Sequence, residues 1–233
     1  MLFTAQSYYS LRYGCMSVEQ VAKDARACGL ETLVLADISN TSATTDFIRE
    51  CNEYGIRPVA GVSCFDEKGF KYLLLARNNE GFREINDFLS EINIKGLELP
   101  ERSPEFGHVF TVYPMNSPLV ASYPFSASQT QGSKSKAQIT GGIFNSNTLS
   151  QHQSILSPAT SREKSYPGSA SQLGQLEFVG VRHWELNKLL TNPLRNHPEK
   201  LLAWHNTVFA DAKGFELHRH LRAIDNNCLL SML

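Results

Sequence analysis

The first hundred residues alternate between short apolar runs and amphipathic helical stretches, and this alternation limits the folds open to the chain. LFTAQ opens as a strand. Ser17, with Gln20 three residues later, reads as a capping box before VEQVAKDARACG, a helix that Gly29 closes. ETLVLAD is a near-continuous apolar run, the mark of a strand buried on both faces. Thr41 or Ser42 is the expected cap of ATTDFIRECNEY, and Gly55 its stop. RPVAGVSCF, a turn at Glu67-Lys68-Gly69 and KYLLLAR supply a third and fourth strand. EGFREINDFLSEI supplies a helix with Phe82, Ile85, Phe88, Leu89 and Ile92 on one side. Strand and helix in alternation with short loops imply parallel strands with right-handed crossovers, hence an open α/β sheet or a β/α barrel.

After Pro100 the pattern changes. HVFTVYP reads as a fifth strand, but residues 120–175 are rich in Ser, Gln, Thr and Gly without helical or strand period. Such a composition does not offset its ordering entropy by burial, so this stretch is expected to be a disordered insertion between two folded pieces. The fold resumes in LEFVGVRHWELNKLL, a strand and short helix. EKLLAWHNTVFAD adds one or two strands, and GFELHRHLRAIDN forms a closing helix. The division expected is therefore 1–119 and 176–233 around an insertion at 120–175. LLSML follows without turn or cap signals, which leads us to expect a fragment of a longer protein, or a truncated or decayed gene product.

Composition narrows function mainly by exclusion. The 233 residues carry a formal charge of −1, so a sequence-independent grip on nucleic-acid backbones is not expected. Five scattered cysteines without a C-x-x-C pair read as reduced thiols, and there is no apolar run suited to a leader or a membrane span. A cytoplasmic location is the expectation.

In parallel α/β folds the working residues sit at the carboxyl ends of strands. Here those ends read Thr4-Ala5-Gln6, Asp37-Ile38-Ser39-Asn40, Gly61-Val62-Ser63 and Ala76-Arg77-Asn78. Asp37 is their single carboxylate, whereas a hydrolytic metal centre needs several converging ligands. His218-Arg219-His220 is the chain's only H-x-H, but it lies in a helical pattern, where positions i and i+2 diverge by roughly 200°. Tyr8, Tyr9 and Tyr13 with Arg12 offer flat faces for stacking on nucleic acid, or a packed loop over a barrel mouth.

The segments YSLRYG, LADISN, GIRPVAG and LARNNEGF, in this order and spacing, resemble the PHP (polymerase and histidinol phosphatase) domain at the amino terminus of bacterial DNA polymerase III α subunits. The likeness covers about residues 1–115 well and 176–233 moderately. It implies a distorted seven-stranded β/α barrel. Metal-binding members carry His-x-His where this chain has Thr4 and Gln6, and Asp-His where it has Asp37 and Ile38. Asn40 belongs to the same stretch. Their glutamate after strand three falls on Ser63 and their strand-four histidine on Lys71, while their late Asp-x-His has no match near Ala210-Asp211. The resemblance thus implies a degenerate metal site with no catalytic residues, no bound metal and no cofactor. Asp37 is then either a vestigial ligand or a strand-end Asp that caps the next turn.

The function implied is that of a non-catalytic module that scaffolds a polymerase α subunit in DNA replication and docks a proofreading exonuclease subunit. The parent is a DNA-directed DNA polymerase, a nucleotidyltransferase with magnesium in its palm, and DNA is met only through it. The alternative is a stand-alone metal-dependent PHP-type phosphoesterase.

Overall fold

A computed structural model describes residues 1–121 and 173–233. Seven strands close into one barrel in chain order: β1 (Leu2–Ala5), β2 (Thr32–Ile38), β3 (Arg57–Asp66), β4 (Gly69–Ala76), β5 (Val109–Pro114), β6 (Glu177–Val181) and β7 (Leu201–Thr207). The helices are α1 (Val18–Ala27), α2 (Thr44–Glu53), α3 (Asn79–Lys95), α4 (Pro118–Ala121), α5 (Leu186–Leu189) and α6 (Ala212–Asp225). The expected seven-stranded barrel is the fold observed. Most of the Ser/Gln-rich stretch, residues 122–172, lies outside the described residues. Its two edges are described and packed, since Val120 is buried and Leu173 rests on the core.

The barrel is not all-parallel. β4 pairs antiparallel with both β3 and β5, while the other neighbours pair in parallel. Asp66 accepts from the Lys68 N–H at 2.9 Å and Gly69 has φ of 117°, so the Glu67-Lys68-Gly69 turn makes a tight hairpin rather than a crossover. The expectation of parallel strands fails at this one place, with a consequence for the site. The end of β4 at Ala76-Arg77-Asn78 lies at the opposite end of the barrel from the ends of β1, β2 and β3.

Side-chain alternation sorts each strand into an inner and an outer row. Val34, Ala36, Leu73, Leu75, Val112 and Trp204 form the barrel interior. Leu33 and Leu35 face outward onto α1 and α2, where Val21, Ala22, Phe47 and Cys51 meet them. Val62, Cys64, Tyr72 and Leu74 face Ile85, Phe88 and Leu89 of α3. Burying each large aliphatic or aromatic side chain in these layers stabilises the barrel by about 1.5–3 kcal/mol.

The local signals mostly act as their chemistry requires. Ser17 Oγ accepts the Gln20 N–H, although the Gln20 side chain donates to Asp24 instead of closing the box. Asn78 and Asp211 cap α3 and α6 through Gly81 and Gly214 N–H groups. Helix α2 departs from expectation. Its N-cap is Ala43, with no side-chain cap, because the Thr41 hydroxyl is engaged with Asn86 Oδ1 at 2.6 Å. EKLLAWHNTVFAD yields the single strand β7.

Candidate functional site at the barrel mouth

The mouth is formed by the carboxyl ends of β1, β2, β3, β5, β6 and β7 and the start of β4. Thr4 and Gln6 point inward from β1, and both are buried. Across the β1–β7 seam the Trp204 indole N–H donates to Thr4 Oγ1 at 3.0 Å, and that hydroxyl donates to Asn206 Oδ1 at 2.8 Å. Asn206 Nδ2 donates in turn to Gln6 Oε1 at 3.3 Å. The result is a neutral chain, indole to hydroxyl to amide to amide, filling the place where a cluster of charged ligands would stand.

Above it lies a fixed cation. The Arg182 guanidinium, just past β6, sits 4.7 Å from the Trp204 ring centroid and 5.5 Å from that of Trp184. Phe70 packs against the same indole at 5.2 Å. A guanidinium over an aromatic face is held by the ring quadrupole, worth about 0.5–2 kcal/mol depending on desolvation. Gly180 makes the room: a Cβ there would stand 2.9 Å from Trp204 Cε3.

Asp37 does not join this interior. It follows Leu33 and Leu35 in the outward row of β2 and grips the loop after β1. Oδ1 accepts the Ser7 N–H at 2.7 Å and the Ser10 hydroxyl at 2.7 Å, and Oδ2 accepts the Ser7 hydroxyl at 2.8 Å. Ser10 Oγ also accepts the Ile38 N–H at 3.0 Å, and Ser7 Oγ the Tyr9 N–H at 3.2 Å. The reading of Asp37 as the cap of the next turn is corrected here: it organises the preceding loop, 30 residues back at Ser7. Burial raises the Asp37 pKa, and the hydrogen bonds from Ser10 and Ser7 offset this only in part.

The remaining candidates are divided among different tasks. Ile38 presents a hydrocarbon chain. Asn40 clamps two loops together, donating to Tyr9 O at 2.7 Å and accepting the Ser42 N–H at 2.9 Å. Ser63 is buried at the inner end of β3, and its neighbour Cys64 faces the opposite way into the α3 layer, where burial pushes its thiol pKa up.

Lys71 leaves the mouth altogether. Cys64 pairs with Tyr72 and Phe65 with Phe70, so Lys71 is the extra residue of a β-bulge. It projects to the rim, where Nζ meets Asp66 Oδ2 at 2.9 Å, Glu101 Oε1 at 3.0 Å and Leu99 O at 2.9 Å. Burial opposes its charge, but the two carboxylates outweigh burial and raise its pKa.

The aromatic loop acts as packing. Tyr13 lies 4.9 Å from the His218 ring and 5.1 Å from the Arg222 guanidinium, and His218 Nδ1 bonds Tyr13 O at 2.7 Å. His220 turns away to Glu216 O at 2.7 Å, so the H-x-H pair diverges as helical geometry requires. Gly14 lets the loop close, since a Cβ there would lie 1.8 Å from Ser7 O.

Residues 4–115 match the family described as "PHP domain". Over these residues, just under half of its length, the chain is similar to that family. It is 29% identical over 121 residues to an error-prone DNA polymerase of Symbiobacterium thermophilum, a match spanning 52% of this chain and 11% of that protein. It is 30% identical over 105 residues to a DNA polymerase III subunit alpha of Treponema pallidum, covering 39% of this chain and 9% of the relative. The chain therefore spans about a tenth of the length of the polymerases it matches. Among solved structures, an amidohydrolase from Chromobacterium violaceum superposes with a TM-score of 0.34 at 17% identity, over 41% of this chain and 34% of that one.

The mouth does not fit the metal centre that a PHP domain implies. The groups there are a hydroxyl and two amides already bonded to one another, an isoleucine with no donor atom in its side chain, and a carboxylate on the outward face. No group of three or more His, Cys, Asp or Glu side chains converges among the described residues. No helix among them is long and apolar enough to cross a membrane.

Sequence reasoning missed Ser7, Ser10, Arg182, Trp204 and Asn206. The alternation of LLAWHNT marks Trp204 and Asn206 as one face of a strand, which was the available signal. Nothing in the sequence pairs Arg182 with Trp204.

Proposed function

We propose that this chain is a non-catalytic PHP module of the DNA polymerase III α-subunit type, acting as a scaffold in DNA replication. The observation that supports this most is the neutral chain Trp204–Thr4–Asn206–Gln6 in the barrel mouth, which leaves no charged ligand set for hydrolytic chemistry. On this reading the positions Thr4, Gln6, Asp37, Ile38, Asn40, Ser63 and Lys71 are remnants of a site converted to structure. Nucleotidyl transfer, with magnesium held by palm aspartates, belongs to other segments of the polymerase, and DNA is contacted through them. The module's contribution is to support the remainder of the α subunit and to offer a surface to a proofreading exonuclease.

The test is metal content and phosphoesterase activity of the purified chain. After incubation with zinc or manganese and desalting, the expected result is substoichiometric metal and no p-nitrophenyl phosphate hydrolysis above the buffer rate. Stoichiometric metal in the wild-type chain together with metal-dependent hydrolysis would overturn the reading in favour of a stand-alone phosphoesterase.

A further inference from the structure

The segment between β6 and β7 carries a surface that the barrel does not use. Glu185 and Leu194 are buried and Leu189 rests on the core, so these three hold the segment to the wall. The outward side chains are a different set. Trp184 is 58% exposed, His183 and Lys188 are exposed, and Arg182 is half-buried. Tryptophan is highly buried on average, which sets an indole this open apart.

Cations stand before and after this ring. The Arg182 guanidinium lies 5.5 Å from the Trp184 ring centroid, and the His183 ring meets the indole at 4.6 Å. Lys188 follows Trp184 by one helical turn, which sets the two on the same side of the segment. Neither Arg182 nor Lys188 makes an ion pair among the described residues. Cation–π contact does not consume the N–H groups of Arg182, which keep their fork for oxygen acceptors. The only carboxylate between Arg182 and Pro198 is that of Glu185, and it is turned inward, accepting the Arg182 N–H at 2.9 Å. An open aromatic face between unpaired cations is the combination that holds single-stranded nucleic acid. A nucleotide offers a flat base to the indole and a phosphate to each cation, which a carboxylate side chain does not. With a formal charge of −1 on the whole chain, this is a local site and not a general polyanion surface.

We propose that this surface binds single-stranded nucleic acid, one base stacking on Trp184 and the adjoining phosphates meeting Arg182 and Lys188. The contact is additional to those that other segments of a polymerase make, and it does not depend on the scaffold reading.

The experiment follows the fluorescence anisotropy of a fluorescein-labelled oligothymidylate titrated with the full chain. Saturable binding that weakens with added sodium chloride is expected. Trp184→Ala should weaken it about tenfold, the loss of one stacked base, while Trp184→Phe, which keeps a ring, should retain most of the affinity. An abasic strand of the same length should bind the wild-type chain about tenfold more weakly for the same reason. Lys188→Gln, a change on the exposed side, should lower the slope of log affinity against log salt by about 0.7, one phosphate contact. Urea midpoints matching wild type establish that the variants are folded. Absence of saturable binding, equal affinity for the abasic strand, or unchanged affinity in Trp184→Ala with an unchanged salt slope in Lys188→Gln would overturn the proposal. So would a polyglutamate peptide that competes as well as unlabelled oligothymidylate, which would assign the surface to an acidic protein segment.

Discussion

The indole N–H of Trp204, on the last strand of the barrel, donates a 3.0 Å hydrogen bond to Thr4 Oγ1 on the first. This bond crosses the seam where the barrel closes, and both partners are buried. The Thr4 hydroxyl donates in turn to Asn206 Oδ1, so one small side chain satisfies a donor and an acceptor at once. Thr4→Val keeps the shape and removes both interactions, leaving the indole N–H buried without an acceptor. We expect a loss of about 1–3 kcal/mol. Urea unfolding should show a lower midpoint with an unchanged slope.

Asp37 serves three donors of the β1 loop from a buried position. Asp37→Ala leaves the Ser7 N–H and the Ser7 and Ser10 hydroxyls without their acceptor, and should cost about 3 kcal/mol. The pH dependence has a definite sign. Burial raises the folded pKa above the unfolded value of 3.8, so the folded state binds the proton more tightly. The associated stabilisation is present below the unfolded pKa and is lost as pH rises through the folded one. Asp37→Asn should remove this component, which a comparison of wild-type and variant unfolding free energies across the acidic range will reveal.

The legible parts of the sequence were those governed by local chemistry. Caps at Ser17, stops at Gly29 and Gly55, and the period of α3 depend on residues a few positions apart, and the structure places them as read. The direction of β4 was missed, although its turn was recognised, because alternation with helices favours crossovers and the hairpin is an exception to it. The resemblance sets Lys71 where a strand-four histidine would stand, whereas a bulge opposite Cys64/Phe65 turns it to the rim. Thr41 lost its capping role to a partner 45 residues away. The neutral chain of the mouth joins residues about 200 positions apart, and no local signal carries that pairing.

Gly180 tests whether the indole position is fixed. A Cβ there would stand 2.9 Å from Trp204 Cε3 and 3.1 Å from Val112 Cγ1. Both neighbours are buried in the barrel interior. Gly180→Ala should therefore destabilise by about 1–3 kcal/mol through overpacking. In a Trp184→Phe background, which leaves Trp204 as the only indole, its emission maximum should shift to the red as the ring is displaced from its buried site. An unshifted spectrum with unchanged stability would show that the interior yields.

Glu177 gives the barrel an acid-sensitive element of the opposite sign to Asp37. Burial works against its charge, but Arg102, the Gly174 N–H and the Tyr113 hydroxyl together outweigh burial and hold the carboxyl below its usual range. Tyr113 Oη donates to Oε1 at 2.9 Å, and Arg102 Nε donates to the same oxygen at 3.0 Å. A depressed folded pKa means that the unfolded state binds the proton more readily. The stabilisation is thus present above the unfolded value of 4.5 and is lost as pH falls through the folded pKa. Glu177→Gln should cost about 1–3 kcal/mol at neutral pH, because Arg102 then meets a neutral amide. It should also flatten the stability profile below pH 4.5, so that wild type and variant converge in acid. Urea unfolding of both proteins at matched pH values checks this, and parallel profiles with no convergence would count against a titrating role for Glu177.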